Sequence, residues 1–211
     1  MPLNPTYPSP LTPQNANVAL QAATMAALGL APMNPPAVPP AQDPAYFAVR
    51  IGWQQQGEPG WLITDDVVII NCVERDDEVN RTRDMKVLRN FADPTGATDV
   101  ILTTYHRVWE VMWTFYGPNS FDRARIVHSA LFTQVGHDLH SAAGLYLVTS
   151  IAAPRRVPEL FAGGQWWERV DFVASFNELV TEAPLVGTVA STEIIIEDAA
   201  GVQADFTVTA S

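Results

Sequence analysis

VILTTYHRVWEVMWTFY, residues 100–116, is the stretch that decides the fold. Large apolar residues recur in it at every second position: Trp109, Val111, Trp113 and Phe115. Successive side chains of an extended chain point to opposite faces, so this spacing predicts a long β-strand with one aromatic face in the core. Gly117, Pro118 and Asn119 follow directly and predict the end of the strand.

The spacing of the apolar residues changes immediately after this turn. Over residues 121–135 they recur at helical spacing: Phe121, Ala124, Val127, His128, Leu131 and Val135. This pattern predicts one amphipathic helix, with Asn119 or Ser120 as its N-cap and Gly136 as its stop.

Further strands are predicted on both sides of this region from β-branched or alternating apolar runs bounded by turn residues. They are Tyr46–Trp53, Val67–Glu74, Met85–Phe91, Leu145–Ile151, Gln165–Val180, and a closing hairpin of Thr188–Glu197 and Gln203–Thr209. We expect Val67–Glu74 and Met85–Phe91 to pair as a hairpin with a charged tip. The whole pattern predicts an α+β fold, a mainly antiparallel β-sheet with one or two packed helices.

Residues 1–44 differ in composition from the rest of the chain. They hold 11 of the 17 prolines, the single acid Asp43, and no Lys, Arg or Glu. Gln14–Leu28, rich in Ala, Leu and Met, predicts a short helix, and its flanks are expected to be extended. Such an arm is either disordered or wraps over a neighbouring subunit, and its apolar residues favour docking. We therefore divide the chain into a proline-rich N-terminal arm (1–44) and an α+β domain (45–211).

The formal net charge is −11, and Lys86 is the single lysine. Tight binding of nucleic acid depends on Lys and Arg that neutralise phosphates, so this composition argues against it. No Lys or Arg follows Arg169, whereas acids continue to the C-terminal region. These acids form either a solvated face or the wall of a channel along which a polyanion slides without sticking.

The sequence contains one cysteine, Cys72, in an apolar run. An intramolecular disulfide is therefore impossible, and a buried, unreactive thiol in a reducing compartment is expected. Apolar runs stay shorter than the roughly 18 residues that a membrane span needs, so no membrane association is expected.

Common catalytic motifs are missing from the sequence, which has no glycine-rich nucleotide loop and no G-x-S-x-G elbow. His137 and His140 could share a helical face and bind one ion, but no third ligand is indicated, and a solvated or interface loop is the alternative. The acidic residues 74–78 lack the spacing and glycine of a calcium loop, so they predict a charged hairpin tip. We expect no cofactor.

Two pairs of residues leave a carbohydrate-directed function open. Glu110 and Glu178 could be paired carboxylates for glycoside cleavage, or could occupy polar positions on their strands. Trp166 and Trp167 could stack on sugars, but adjacent strand residues point to opposite faces. One of these tryptophans is therefore expected in the core and the other at the surface or an interface.

Three stretches together resemble the phage neck terminator family. In EVMWTFYGPNSFD, residues 110–122, a long strand ends in a turn similar to the family's FYGPNA and enters a helix. QWWERVDF, residues 165–172, continuing to Phe176 and Asn177, resembles the family's late strand. The order of a short helix, a proline-rich linker and a first strand is also similar, although Leu30–Gln42 lacks the family's arginine-tryptophan-glutamine element. The likeness covers roughly residues 14–197.

The resemblance implies a tail-terminator-like fold assembled as a ring of identical subunits, a hexamer, at the neck of a virion built in the host cytoplasm. Such a ring caps the tail tube and meets the head–tail connector or neck protein, with the tail sheath as a further candidate partner. DNA passes through its lumen without specific binding. The alternatives are another head-completion or baseplate component, or a carbohydrate-binding module or glycoside hydrolase.

Three groups of residues are candidate functional positions in such a subunit. The strand-to-helix corner is expected to be shaped by Phe115, Tyr116, Pro118 and Asn119. The candidate axial interface consists of Arg75, Asp76, Asp77, Glu78, Arg81 and Arg83. The candidate lumen acids are Glu178, Glu182, Glu193 and Glu197.

Overall fold

The computed structural model describes residues 9–30, 49–52, 61–88, 100–161, 164–183, 191–197 and 203–209. Its helices are α1 (Pro13–Ala27), α2 (Glu78–Arg81), α3 (Ser120–Ala130) and α4 (Gln134–Ala142). Its strands are β1 (Val49–Ile51), β2 (Val67–Arg75), β3 (Arg83–Leu88), β4 (Val100–Tyr116), β5 (Leu145–Val148), β6 (Arg155–Arg156), β7 (Glu159–Phe161), β8 (Gln165–Trp167), β9 (Arg169–Glu182), β10 (Ser191–Glu197) and β11 (Gln203–Thr209). Contacts divide the chain into a first unit, residues 11–81 and 106–179, and a second unit, residues 1–10, 82–105 and 180–211.

The predicted α+β class is confirmed. The large sheet has the strand order β1-β2-β4-β9-β5, with β3 also paired to β4 and β6 to β9. Strands β2 and β3 run antiparallel to β4, β5 and β6 run antiparallel to β9, and β1 pairs with β2 in parallel. Two separate antiparallel hairpins are formed by β7 with β8 and by β10 with β11. The predicted closing hairpin is thus confirmed over its described strands.

The core of the first unit lies on one face of this sheet. The alternate residues of β4 that the sequence singled out are at most 1% exposed: Trp109, Val111, Trp113 and Phe115. Across the sheet, Trp113 stacks on Phe172 of β9 with ring centroids 4.9 Å apart. Helix α3 completes the same cluster through Ala124 and Val127, together with its C-cap residue Leu131. The aromatic strand face is therefore covered by helix, as the change of period predicts.

Helix α1 is also part of this core. Its N-cap is Thr12, whose hydroxyl accepts a hydrogen bond from the Asn15 N–H at 3.1 Å, and Pro13 opens the first turn. Leu20 and Met25 are buried, and the helix contacts β1, β2, α3 and α4. The predicted helix is confirmed, but it packs on its own chain, whereas we expected it to be disordered or to cover a neighbouring subunit. The boundary predicted at residue 44 lies outside the described residues.

Two strand predictions were wrong. Strand β3 pairs with residues 100–105 of β4, and β2 pairs with residues 108–116, so β2 and β3 do not form a hairpin with each other. The cause is the length of β4, whose 17 residues accept both strands in succession. The strand predicted over residues 165–180 is interrupted at Glu168 and forms β8 and β9.

The single helix predicted to stop at Gly136 is in fact two helices. Helix α3 ends at Ala130, and α4 begins at Gln134 with Thr133 as its N-cap. The Thr133 hydroxyl accepts a hydrogen bond from the Gly136 N–H at 3.1 Å. A Cβ at Gly136 would clash with the Ala130 carbonyl oxygen. Glycine is therefore needed here for the close approach of two helices, and not to end one.

Candidate functional site

The corner between β4 and α3 is stabilised by the side chain of Asp66. Gly117 turns the chain with a φ of +105°, and the absence of a side chain leaves room for the Asp65 carbonyl oxygen. The Asp66 carboxylate accepts hydrogen bonds from the backbone N–H of Asn119 at 2.9 Å and from its side-chain amide at 2.8 Å. Arg123 Nε lies 3.2 Å from the same carboxylate. A negative charge is favourable here because the first N–H groups of a helix lack intrahelical partners.

Phe115 and Tyr116, the last residues of β4, point to opposite faces of the sheet. Phe115 belongs to the main core, whereas Tyr116 belongs to a smaller cluster with Trp61 and Trp167. The Tyr116 hydroxyl donates to Glu159 Oε2 at 2.7 Å, and burial, together with this carboxylate, raises the pKa of Tyr116. Of the four predicted corner residues, two are buried (Phe115 and Tyr116) and two are exposed (Pro118 and Asn119).

Arg169, in the stretch that resembles the family's late strand, joins β7 to β9. Its Nη1 donates to Glu159 at 2.9 Å, and its Nε and Nη2 donate to Asp171 at 2.9 and 2.8 Å. The hydrogen bonds to Asp171 are the main reason that the pKa of Arg169 is raised. Such a bidentate pair fixes the relative orientation of the two side chains and also pairs their opposite charges. In the sequence, Arg169 was noted as the last basic residue and as part of that stretch, but its partners were not predicted.

The candidate axial residues fall in both compact units. In the first unit, Arg81 Nη2 lies 2.7 Å from Asp76 Oδ2 across the short helix α2, and this contact lowers the pKa of Asp76. The side chains of this ion pair are 69% and 74% exposed, so the pair leaves both charges available to a partner. In the second unit, Arg83 begins β3 and stacks over the Tyr105 ring at 3.9 Å.

Glu178, expected as a lumen acid, is instead buried with a 6% exposed side chain. Its Oε1 accepts a hydrogen bond from the Leu11 N–H at 2.7 Å. Its Oε2 accepts from Arg107 Nη2 at 2.9 Å and from Trp109 Nε1 at 2.8 Å. Arg107 also donates to the Leu11 carbonyl oxygen. Because the carboxylate is enclosed and both of its oxygens accept hydrogen bonds, Glu178 presents no free charge at the surface of the subunit.

Sequence reasoning missed this network, although the signal for it was present. Arg107 is an even number of residues from the buried apolar residues of β4, so it lies on the same face of that strand. Glu178 lies in the same way on the apolar face of β9. Charged residues on two apolar strand faces are best accommodated as partners of each other. A pairing of Arg107 with Glu178 could therefore have been predicted, but the contact with Leu11 could not.

The remaining lumen candidates belong to the second unit. Glu182, at the end of β9, accepts a hydrogen bond from the Tyr105 hydroxyl at 2.9 Å. Burial and this carboxylate raise the pKa of Tyr105. Glu193 and Glu197 both lie on β10, the first strand of the closing hairpin.

The residues considered for glycoside cleavage are not brought together. Glu110 lies 3.5 Å from Arg75, whereas Glu178 contacts Trp109, the neighbour of Glu110 along β4. Adjacent strand residues point to opposite faces, so the sheet separates the two carboxylates. Trp167 is 8% exposed and Trp166 is 66% exposed, which confirms the expectation that one is buried and the other is at the surface.

His137 and His140 lie on helix α4, and not in the loop that was the alternative to an ion site. His137 is exposed, whereas His140 is buried against the Phe176 ring. Burial, with a smaller contribution from His137, lowers the pKa of His140 to about 4. Within the described ranges, no three His, Cys, Asp or Glu residues are placed to hold a metal ion. No helix in the same ranges is long and apolar enough to cross a bilayer.

Cys72 is buried in the core, as its apolar surroundings predict. Burial raises the pKa of its thiol to about 12. Because the thiolate is the nucleophilic form, the thiol is unreactive at neutral pH.

The family model of the phage neck terminator protein matches residues 19–209, and the chain belongs to this family. It is therefore a structural component of a bacteriophage virion that associates with other tail and neck proteins. No curated protein matches the chain at a significant level.

Proposed function

We propose that copies of this chain close into a hexameric ring at the phage neck. The ring terminates the tail tube and joins it to the head–tail connector or neck protein, with the sheath as a further candidate partner. The observation that carries this proposal is the family match over residues 19–209. A single heterologous contact, repeated until it closes, builds such a ring from identical subunits.

The exposed apolar side chains of the first unit support a role in assembly. Leu62, Leu160 and Trp166 are 70%, 54% and 66% exposed. Leu160 and Trp166 are also directly opposite each other in the β7–β8 hairpin, and adjacent exposed apolar side chains are typical of the contact surfaces of proteins. These side chains are therefore the candidates for contact with neighbouring subunits.

The charged segment around α2 is the proposed axial contact. Arg75, Asp76, Asp77, Glu78 and Arg81 present both signs of charge, and Arg83 is the further candidate in the second unit. Mixed charges give specificity and orientation at an interface more than affinity. This suits a ring that must meet two different partners in a fixed order.

An acidic lumen is the remaining part of the proposal. Glu182, Glu193 and Glu197 are the proposed lining residues, and the net charge of −11 is repeated in every subunit. Because DNA is a polyanion, a wall of carboxylates prevents it from adhering during passage.

Electron microscopy of virions that carry a tagged copy of this chain tests the assignment. We expect density for the tag in a ring at the head–tail junction, and native mass spectrometry of the isolated ring should give six copies. Location of the tag in the baseplate or capsid would contradict the neck assignment. A closed ring at the neck with another copy number would contradict only the hexamer.

A further inference from the structure

Strand β3 of the second unit exposes both of its faces. All six residues of Arg83–Leu88 are exposed, and Met85 and Val87 are 69% and 70% exposed. Its strand partner in the described part of the chain is residues 100–105 of β4, along one edge. No strand among the residues that the structure describes pairs with the other edge of β3, so its backbone N–H and C=O groups form a template for strand addition.

The charges on β3 favour one orientation of an added copy. Asp84 and Lys86 are two residues apart on the same face, 3.5 Å from each other and each 67% exposed. In an antiparallel pair with Met85 opposite Met85, Asp84 of each copy lies opposite Lys86 of the other. A parallel pair in register places Asp opposite Asp and Lys opposite Lys, which is unfavourable.

The apolar side chains are compatible with the same register. Met85 of one copy then lies against Met85 of the other, and Val87 lies opposite Arg83, whose aliphatic stem can cover it. Edge pairing brings these side chains into cross-strand contact and removes part of their apolar surface from water, which adds to the backbone hydrogen bonds between the two strands.

We propose that β3 pairs antiparallel with β3 of a second copy about a twofold axis at Met85. The contact is isologous, so it differs from the heterologous contact that closes a ring. The proposal therefore goes beyond the proposed function and gives the subunits a second mode of association.

Disulfide trapping tests the register. Directly opposite Cα atoms in an antiparallel pair are about 4.5–5.5 Å apart, which is within the range for a disulfide. Met85→Cys should therefore give a covalent dimer under mild oxidation. Val87→Cys is the matched control, since it has the same face and exposure but lies about 13 Å along the strand from its counterpart. Cys72 does not compete because it is buried.

A covalent dimer from Met85→Cys and little from Val87→Cys is the expected result. Equal yields from both variants, or no dimer from Met85→Cys, would overturn the proposal.

Charge exchange tests the pairing of Asp84 with Lys86. Lys86→Glu places like charges at both positions, so the dimer dissociation constant measured by analytical ultracentrifugation should rise roughly tenfold. The double variant Asp84→Lys, Lys86→Glu restores opposite charges and should recover the original value. A double variant that stays as weak as Lys86→Glu contradicts the pairing.

The same variants separate this proposal from the ring. Virions carrying Lys86→Glu should keep the neck ring, because the twofold contact is independent of it. Loss of the ring and the dimer together would assign β3 to the ring contact and overturn the twofold pairing.

Discussion

Arg107 and Glu178 form a buried ion pair, with Nη2 and Oε2 2.9 Å apart, and together they bind both backbone groups of Leu11. Leu11 immediately precedes the N-cap of α1, so the pair fastens the start of this helix to strands β4 and β9. Because both hydrogen bonds go to backbone atoms of Leu11, they do not depend on which side chain is present at that position.

Replacement of Arg107 by Met should lower the free energy of unfolding of the chain by about 3–5 kcal/mol. The reason is that Glu178 would stay buried without its main counter-charge, although the Leu11 N–H and Trp109 Nε1 would still donate to it. Urea denaturation, with the midpoint and slope fitted together, measures the change.

Arg75→Met is the matched control for this change. Arg75 pairs with Glu110 at 3.5 Å, but the two side chains are 54% and 40% exposed. An exposed pair contributes about 1 kcal/mol at most. Equal effects of the two substitutions would show that the Arg107–Glu178 pair has no special role.

Gly117→Ala should destabilise the corner between β4 and α3. The backbone φ of +105° is strained for alanine, and the added Cβ would lie 2.6 Å from Asp66 Oδ1 and would also clash with the Asp65 carbonyl oxygen. We expect a loss of about 2–3 kcal/mol in thermal or urea unfolding. Gly144→Ala is the comparison, since φ is +75° there and nothing lies within 4 Å of the new Cβ. Gly117→Ala should cost more than Gly144→Ala, because it adds the clash and also a φ further from the left-handed region that alanine can enter. Indistinguishable losses would contradict the packing described for Gly117.

The stability of the chain should fall as the pH is lowered from 6.5 to 4, in part because of His140. Its pKa is about 4 in the folded chain and 6.5 in an ordinary histidine, so the unfolded chain binds a proton in this window that the folded chain does not. The free energy of unfolding therefore decreases with falling pH, by at most about 1.4 kcal/mol per pH unit for one proton.

His140→Leu removes this contribution and should flatten the pH dependence between pH 6.5 and 4. His106→Leu is the control, because it removes an exposed histidine by the same substitution. Chemical denaturation at several pH values gives the slopes. An unchanged slope in His140→Leu would mean that the buried imidazole is protonated in the folded chain.

Replacement of Glu182, Glu193 and Glu197 by lysine should slow DNA ejection from the virion several-fold, since a basic wall attracts the polyanion. Reversal of three other acids, Asp122, Asp138 and Glu168, changes the net charge equally and should leave ejection unaffected. Ejection rates of the two virion preparations are compared by DNA dye fluorescence. Equal slowing would indicate an effect of total charge and not of the lumen.

The main layers of the fold could be predicted from strict periodicity. The alternation in residues 109–115 gave the buried face of β4, and the helical spacing from Phe121 gave the cover over it, because each pattern reflects one buried face. The pairing of β3 could not be predicted, since the local pattern of Met85–Phe91 fits a hairpin with β2 as well as an antiparallel pairing with β4.

Contacts between distant parts of the chain were the least predictable. The role of Gly136 depends on Ala130 lying against it, and glycine near a helix end is read as a stop when its neighbours are unknown. Glu178 was assigned to a polar position, although the alternation along β9 places it on the same face as the buried apolar residues. Its partners come from β4 and from the N-terminal segment, 71 and 167 residues away in sequence.

One carboxylate, that of Asp66, is shared by the residue that ends the turn after β4 and by a residue one turn into α3. Asp66 itself immediately precedes β2, so three segments meet at a single side chain. A pull along β4 would therefore reach the start of α3 through this side chain as well as through the backbone. The strand and the helix are thus joined by the Asp66 side chain as well as by the backbone of the turn, which opposes rotation of one against the other.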